Sequence, residues 1–120
     1  VDPGKDIALI QYTGGTTGVP KGAALSHANL SINAQQLIAI DPEERSDGRA
    51  LGALPFFHIF ANTCLLNHTL MRGGEIVMLP KFDAAEALSA IAKRKLTDLA
   101  GVPAMYQAML DHPNCRKTDF

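Results

Sequence analysis

Short apolar runs of strand type alternate along the chain with longer stretches of helical periodicity. The strand-type runs cover residues 7–12, 50–56, 76–79 and 98–102, and a helix-type stretch follows each of them. Strands that alternate with helices of this length favour a parallel sheet with helices on its faces, because each parallel connection has to cross over the sheet. The sequence therefore predicts an α/β fold with a parallel or mostly parallel sheet and flanking helices.

The predicted helices are bounded by local start and stop signals. Ser26 is a preferred type of N-cap, so the first unit is predicted to run from strand through loop directly into a helix that ends before Asp41. Asp83 has Glu86 three residues on, the capping-box arrangement that begins a helix. The remaining helices are predicted over residues 59–71, with Gly73-Gly74 as the stop, and over residues 104–110, with Pro103 at the first helical position.

Charge, hydropathy and cysteine spacing exclude several kinds of partner. Eleven Lys and Arg against twelve Asp and Glu give a formal net charge of -1, which provides no cationic field for nucleic acid. Every apolar run is interrupted before the roughly 18 residues that a membrane-spanning helix needs. Cys64 and Cys115 show no CxxC or His-partnered spacing, so neither a zinc site nor a disulfide is predicted, and reduced intracellular thiols are expected. No metal site built from the histidines is predicted.

Residues 12–22 carry the most chemistry in the sequence. They read Tyr-Thr-Gly-Gly-Thr-Thr-Gly-Val-Pro-Lys-Gly and contain four glycines, three threonines and one lysine. Glycines let backbone N–H groups approach an anion, hydroxyls add donors and the lysine adds a full charge, which together suit a polyphosphate with its Mg²⁺. No GxxxxGKS or GxxxxGKT register fits, so the loop is not of the Walker type. The alternative is a glycine-rich turn between strand and helix in which Lys21 is solvated.

The same string resembles the loop YTSGTTGxPKG of the adenylate-forming superfamily, which includes acyl-CoA synthetases, luciferases and peptide-synthetase adenylation domains. Gly14 stands where serine is usual, and this YTGGTTG form is similar to that of long-chain fatty acyl-CoA synthetases. Residues 25–30 resemble the family's helix start, residues 54–60 its aromatic-histidine motif, and residues 101–106 its later strand-to-helix junction. Residues 1–120 are therefore expected to be part of one AMP-binding domain, within the large N-terminal domain of such an enzyme.

The resemblance implies a reaction and a set of site residues. A carboxylic acid, here a long-chain fatty acid, attacks ATP to form an acyl-adenylate, and the acyl group then passes to CoA; ATP, Mg²⁺ and CoA are the implied cofactors and substrates. By the family pattern, His58 is the candidate catalytic residue, and with Phe57 and Gly101 it is expected to line the acyl site. The candidate phosphate-binding residues are Thr13, Gly14, Gly15, Thr16, Thr17, Gly18 and Lys21.

Each assignment outside the loop has a plainer alternative. His58, flanked by phenylalanines, is also compatible with a structural histidine, and aromatic residues at a strand end, such as Phe56 and Phe57, are often simple core. Gly101 is also explained by a tight junction before the next helix. The sequence alone leaves both interpretations of these residues open.

The family's adenine-binding, ribose-binding and C-terminal lysine motifs do not occur in the sequence. The chain is therefore expected to be an excerpt with little or no turnover of its own, from a cytoplasmic enzyme whose contact with a membrane surface is left open. Two other interpretations are a non-catalytic phosphate- or nucleotide-binding α/β module, and an α/β fragment whose exposed sheet edges associate.

Overall fold

The computed structural model describes residues 1–14, 18–41 and 47–120, and the α/β class predicted from the sequence is confirmed. The strands in these residues are β1 (Ile7–Thr13), β2 (Lys21–Ser26), β3 (Arg49–Gly52) and β4 (Glu75–Met78). The helices are α1 (His27–Ile40), α2 (Ile59–Ala61), α3 (His68–Met71), α4 (Ala84–Arg94) and α5 (Pro103–Asp111), with a π-helical segment (Asn62–Asn67) and a 3-10 turn (Cys115–Lys117). Of the helices just named, none is both long enough and apolar enough to cross a bilayer.

β1 and β2 form an antiparallel hairpin in which Tyr12 lies opposite Gly22. The prediction that the first unit passes from loop directly into helix is therefore wrong, because residues 21–26 form a strand before α1 begins. These residues include no β-branched or aromatic side chain, so their extended conformation depends on pairing with β1 rather than on local preference. Gly22 makes room for its partner strand, since a Cβ there would lie 2.8 Å from Cγ2 of Ile10.

β3 is the central strand of a parallel sheet. β4 pairs with β3 along its whole length, and on the other edge of β3 Asp98 forms a parallel bridge with Ala50. The predicted parallel pairing is thus confirmed for β3, β4 and Asp98, although the predicted strand at residues 98–102 is reduced to this bridge. The first of the four predicted strands, β1, does not join this sheet, because it pairs with β2 in the antiparallel hairpin. β3 also ends earlier than predicted, because the chain turns at Pro55, whose carbonyl accepts a hydrogen bond from the N–H of His58 at 3.0 Å.

Local signals set the helix ends as predicted. At α1, the N–H of Asn29 donates to Oγ of Ser26 at 3.2 Å, and the N–H of Ser26 donates to Oδ1 of Asn29 at 2.9 Å. At α4, the N–H of Glu86 donates to Oδ1 of Asp83 at 2.9 Å, so the predicted N-cap is confirmed, while the reciprocal bond of the predicted capping box is not among the bonds of these two described residues. Gly73, just after α3, has a φ of 76°, which glycine adopts without the strain that a Cβ would cause.

Helices pack on both faces of the parallel sheet, because successive residues of β3 point to opposite faces. On one face Leu51 packs against α4 and α5, and on the other face Ala50 packs against Ala61 and Leu65. The buried side chains of the first face are Leu51, Ala87, Leu88, Ile91 and Met109. The sheet is therefore the middle layer of three, as predicted for flanking helices, and its carboxyl end leads into the aromatic-histidine segment.

Candidate functional site

The predicted phosphate loop is the connection between β1 and β2. Thr13, the last residue of β1, pairs with Lys21, the first residue of β2, and the Oγ1 of Thr13 donates to the carbonyl oxygen of Lys21 at 3.4 Å. Gly18 has a φ of 80°, a left-handed conformation that favours glycine. The hairpin thus holds the two ends of the loop together and places the threonine hydroxyl and the lysine at its base.

The centre of the loop, Gly15, Thr16 and Thr17, lies outside the residues that the structure describes. The role of these three residues in holding phosphate stays a prediction. At Gly14, an added Cβ would meet no atom of the described residues within 4 Å, so packing against these residues does not require glycine there.

Lys21 is exposed, and among residues 1–14, 18–41 and 47–120 it has no carboxylate within ion-pair distance. A lysine ammonium is a compact point charge with three donors on a flexible stem. The charge at the base of the loop is therefore not neutralised by a described neighbour. This arrangement suits an anionic ligand.

His58 is the N-cap of α2. Its Nδ1 accepts a hydrogen bond from the N–H of Phe60 at 3.2 Å, which requires the Nδ1 lone pair and places the proton of the neutral imidazole on Nε2. The backbone is fixed as well, since the carbonyl of His58 accepts from the N–H of Asn62 at 3.0 Å. His58 therefore has a structural role as a cap, and its Nε2–H is left as a donor for another group.

The two phenylalanines before His58 have different environments. Phe56 packs against the buried cluster formed by Ala50, Ala61 and Leu65, as the core interpretation predicts. Phe57 is 81% exposed, so for Phe57 the core interpretation is wrong. An exposed aromatic ring next to an exposed imidazole gives this edge of the sheet an apolar surface with one polar donor.

Gln11 connects the hairpin to this aromatic segment. The side-chain Nε2 of Gln11 donates to the carbonyl oxygen of Phe57 at 3.0 Å and to the carbonyl oxygen of Tyr12 at 3.2 Å. Sequence reasoning missed this residue, because Gln11 and Phe57 are 46 positions apart and no local pattern marks a glutamine as a partner of a distant carbonyl. The structure thus brings the root of the phosphate loop and the His58 segment together.

Gly101 lies under an aromatic ring. A Cβ at Gly101 would lie 3.3 Å from Cζ of Tyr106, and the hydroxyl of Tyr106 donates to the carbonyl oxygen of Leu99 at 2.8 Å. A side chain at Gly101 would therefore require the ring to shift slightly, and the proposed role of Gly101 in the acyl site stays a prediction. Because the chain runs parallel to β3 at Asp98, Gly101, three residues further on, lies towards the carboxyl end of the sheet, which is where open α/β sheets bind ligands.

A cavity of about 360 Å³ opens at this carboxyl end, between the residues that follow β3 and those that follow β4. Its apolar lining includes Leu54, Phe56, Met78, Leu79 and Phe82. Ligand sites are typically concave and mostly apolar with a few polar groups. The lining of this cavity is mostly apolar and includes a cation, Lys81.

Cys64, in the π-helical segment, is not a candidate nucleophile. Burial raises the pKa of the Cys64 thiol above its usual value, so the thiol is protonated and weakly reactive at neutral pH. Within the described part of the chain, His, Cys, Asp and Glu side chains form no group of three or more that could hold a metal ion. The candidate site therefore consists of the loop, the His58 segment and the apolar cavity.

Comparisons with protein families and with known sequences agree with one another. Residues 1–120 match the family model described as AMP-binding enzyme. A long-chain-fatty-acid–CoA ligase from Bacillus subtilis is 42% identical over 122 residues, which is 100% of this chain and 22% of that protein. A feruloyl-CoA synthase from Amycolatopsis sp is 41% identical over 115 residues, which is 96% of this chain and 23% of that protein.

Among solved structures, the inhibitor-bound N-terminal domain of FACL13 from Mycobacterium tuberculosis superposes with a TM-score of 0.88 at 32% identity, covering 99% of this chain and 30% of that one. The chain thus spans less than a quarter of the length of these two relatives and matches part of the N-terminal domain of FACL13. The resemblance inferred from the loop and the aromatic-histidine segment is confirmed: the chain belongs to the family of AMP-binding enzymes.

Proposed function

We propose that the protein to which this chain belongs activates a carboxylic acid with ATP as an acyl-adenylate and then transfers the acyl group to CoA. We propose a long-chain fatty acid as the substrate, and this chain as the source of the phosphate loop and part of the acyl site. The observation that supports this most is the hydrogen bond from the side chain of Gln11, near the base of the loop, to the carbonyl oxygen of Phe57, the residue before His58. The relatives, which are ligases and synthases of acyl-CoA, support the reaction class.

The chemistry explains why a phosphate loop and an acyl site have to be neighbours. A carboxylate oxygen attacks the α-phosphorus of ATP, the bond to the β-phosphate oxygen breaks, and pyrophosphate leaves with the electron pair. Donors and a cation around the leaving phosphates stabilise the charge that develops there, which is commonly the largest catalytic contribution. The thiolate of CoA then attacks the acyl carbon, and AMP leaves. In this proposal Thr13 and Lys21, with the loop between them, hold the leaving phosphates, and the Thr13 hydroxyl exchanges its bond to the carbonyl of Lys21 for one to a phosphate oxygen.

Magnesium is proposed as an ion carried by ATP rather than one held by this chain. Mg²⁺ commonly binds through substrate phosphates with one or two carboxylates and several waters. Residues 12–22 include no carboxylate, and the described residues form no cluster of metal ligands. The steps assigned to this chain therefore use its own hydroxyl and ammonium donors.

His58 is proposed to orient the acid. Its Nδ1 is engaged by the N–H of Phe60, so Nε2 is the nitrogen that can donate to an oxygen of the carboxylate or of the adenylate. Because Nδ1 accepts the N–H of Phe60, the neutral form of the ring can donate from Nε2 without a change of tautomer. The exposed ring of Phe57 is proposed to cover the acyl chain beside it.

Two substitutions of His58 separate its cap role from this donor role. Asparagine is a preferred N-cap, so His58→Asn is expected to keep α2 intact while the kcat for adenylation falls about 10²-fold, a typical loss for a positioned proton donor. His58→Ala is expected to lose activity equally and, in addition, about 1 kcal/mol of helix stability. Pyrophosphate exchange measures the first effect, and hydrogen exchange of the amides that follow His58 measures the second. Full activity of His58→Asn would assign His58 a purely structural role.

An aromatic acid is the second candidate substrate. The feruloyl-CoA synthase is 41% identical and the fatty acid ligase 42% identical, so sequence identity does not separate the two acids. Phe57 and the apolar cavity after β3 are compatible with either. The substrate class therefore has to be tested by the choice of acid.

The test is acid-dependent exchange of labelled pyrophosphate into ATP by the full-length protein, with acetate, octanoate, palmitate and ferulate. Palmitate is expected to give the fastest exchange. Exchange with ferulate alone would support the adenylation chemistry and identify an aromatic acid, rather than a fatty acid, as the substrate. If no acid supports exchange, the adenylation proposal is wrong and a phosphate-binding module without catalysis becomes the better interpretation.

The proposed substrates also suggest where the protein works. ATP and CoA are cytoplasmic metabolites, so we propose a cytoplasmic reaction. A long-chain acid partitions into bilayers with about 0.8 kcal/mol per buried CH₂, so peripheral contact with a membrane surface would supply it.

A further inference from the structure

Gln11 joins the loop hairpin to the aromatic-histidine segment by a hydrogen bond. Among the hydrogen bonds of residues 1–14, 18–41 and 47–120, its bond to Phe57 is the only one that links β1 or β2 to residues 47–120. The side chain of Gln11 is half-buried. Its single NH₂ group serves two carbonyls, those of Phe57 and Tyr12, at 3.0 and 3.2 Å.

Both ends of this link lie next to proposed functional groups. Phe57 precedes His58, and the N–H of His58 is itself held by the carbonyl of Pro55 at 3.0 Å. At the other end, Gln11 precedes Thr13 by two positions in β1, which corresponds to about 7 Å of extended strand. A displacement of Gln11 would therefore shift the base of the phosphate loop relative to His58.

We propose that Gln11 is a positioning residue for adenylation, which sets the distance between the phosphate loop and the His58 segment. This inference rests on the proposed function. The acid oxygen has to meet the α-phosphorus while the loop holds the leaving phosphates, and a misplacement of about 1 Å can cost about 10²-fold in rate. Gln11 touches neither substrate in this proposal and acts through the peptide bond that connects Phe57 to His58.

A neutral amide is the side chain that suits this position. A carboxylate would place an acceptor against two carbonyl oxygens, which repel it. A lysine would add a second cation near Lys21 and compete with the loop for phosphate. Glutamine gives two N–H donors without charge, so it can hold both carbonyls and leave the field of the loop unchanged.

The test is a double-mutant cycle in the full-length enzyme, with pyrophosphate exchange as the measurement. Methionine has nearly the length of glutamine but no donor, so Gln11→Met is expected to lower kcat about tenfold to 10²-fold, with the KM values for ATP and acid changed less than about threefold. In the His58→Asn background, which keeps the cap, Gln11→Met is expected to cost less than about twofold more, because residues that act together are not additive. The matched control is Gln36→Met, at an exposed glutamine of α1, which is expected to leave kcat unchanged.

The cycle also contains the result that would overturn the inference. If Gln11→Met costs the same factor with and without His58→Asn, Gln11 does not act through the His58 segment and the inference is wrong. If Gln11→Met does not fold, as judged by circular dichroism, Gln11→Leu replaces it in the same cycle, because it is also neutral and also lacks the donor. A wild-type enzyme that shows no exchange with any acid defeats the proposed function itself and this inference with it.

Discussion

Replacing Lys21 by alanine in the full-length enzyme is expected to lower the kcat for adenylation about 10²- to 10³-fold, the loss typical of removing one preorganised stabiliser of a developing anion. The physical reason is that Lys21 brings a full charge to the base of the loop, where pyrophosphate is proposed to leave. Its side chain is exposed and packs in neither buried cluster. The unfolding midpoint is therefore expected to stay within experimental error.

The matched control for Lys21→Ala is Lys93→Ala. Lys93 is also an exposed lysine, in the last turn of α4, and no function is proposed for it. Pyrophosphate exchange is measured for both variants, with circular dichroism to verify the fold. Unchanged turnover of Lys21→Ala would contradict the phosphate-loop assignment, whereas equal losses in both variants would indicate a general effect of charge.

Leu88→Ala is expected to have a large effect on stability. Leu88 is 1% exposed and packs with Leu51, Ile91 and Met109 on one face of β3. Truncating a fully buried leucine removes its transfer free energy and leaves a cavity, which together cost about 2–5 kcal/mol. The loss is expected to appear as faster hydrogen exchange of the amides of α4 and β3 in the full-length protein.

Leu110→Ala is the control for this prediction. Leu110 belongs to α5, which packs on the same face, but it is 67% exposed. A substitution there is expected to change the free energy of unfolding by less than about 0.5 kcal/mol, as is usual for surface positions. If the two leucine variants exchange hydrogen equally fast, the assignment of Leu88 to the core is wrong.

Features that depend on neighbouring residues could be predicted from the sequence. A cap requires only one side chain and the N–H groups of the next turn, so Ser26 and Asp83 were sufficient to place the starts of α1 and α4. Pro103 likewise begins α5, as predicted, because the first helical position needs no N–H. Gly73 ends the helical stretch that begins at Ile59, because its positive φ is a local preference of glycine.

Features that depend on distant residues could not be predicted in this way. Residues 21–26 have weak strand preference, so β2 forms because its backbone pairs with that of β1. The π-helical segment differs from an α-helix only in its hydrogen-bond register, and the bond from Nδ2 of Asn67 to Oδ1 of Asn62 at 2.9 Å has no signal in the apolar pattern that predicted the helix. Residues of the site that act through a backbone contact, as Gln11 does, are missed for the same reason.

The mixed topology also has a consequence for the order of folding. The β1–β2 hairpin joins segments that are close in sequence, and hairpins of this kind form in about 1–10 μs. β3 can pair with β4 only after the helical stretch 59–71 between them has been placed. It can pair with Asp98 only after α4 has been placed as well. Contacts with such a separation form slowly because the loop-closure entropy is lost first. During synthesis, the β1–β2 hairpin, which carries the proposed phosphate loop, is thus expected to form before the parallel sheet.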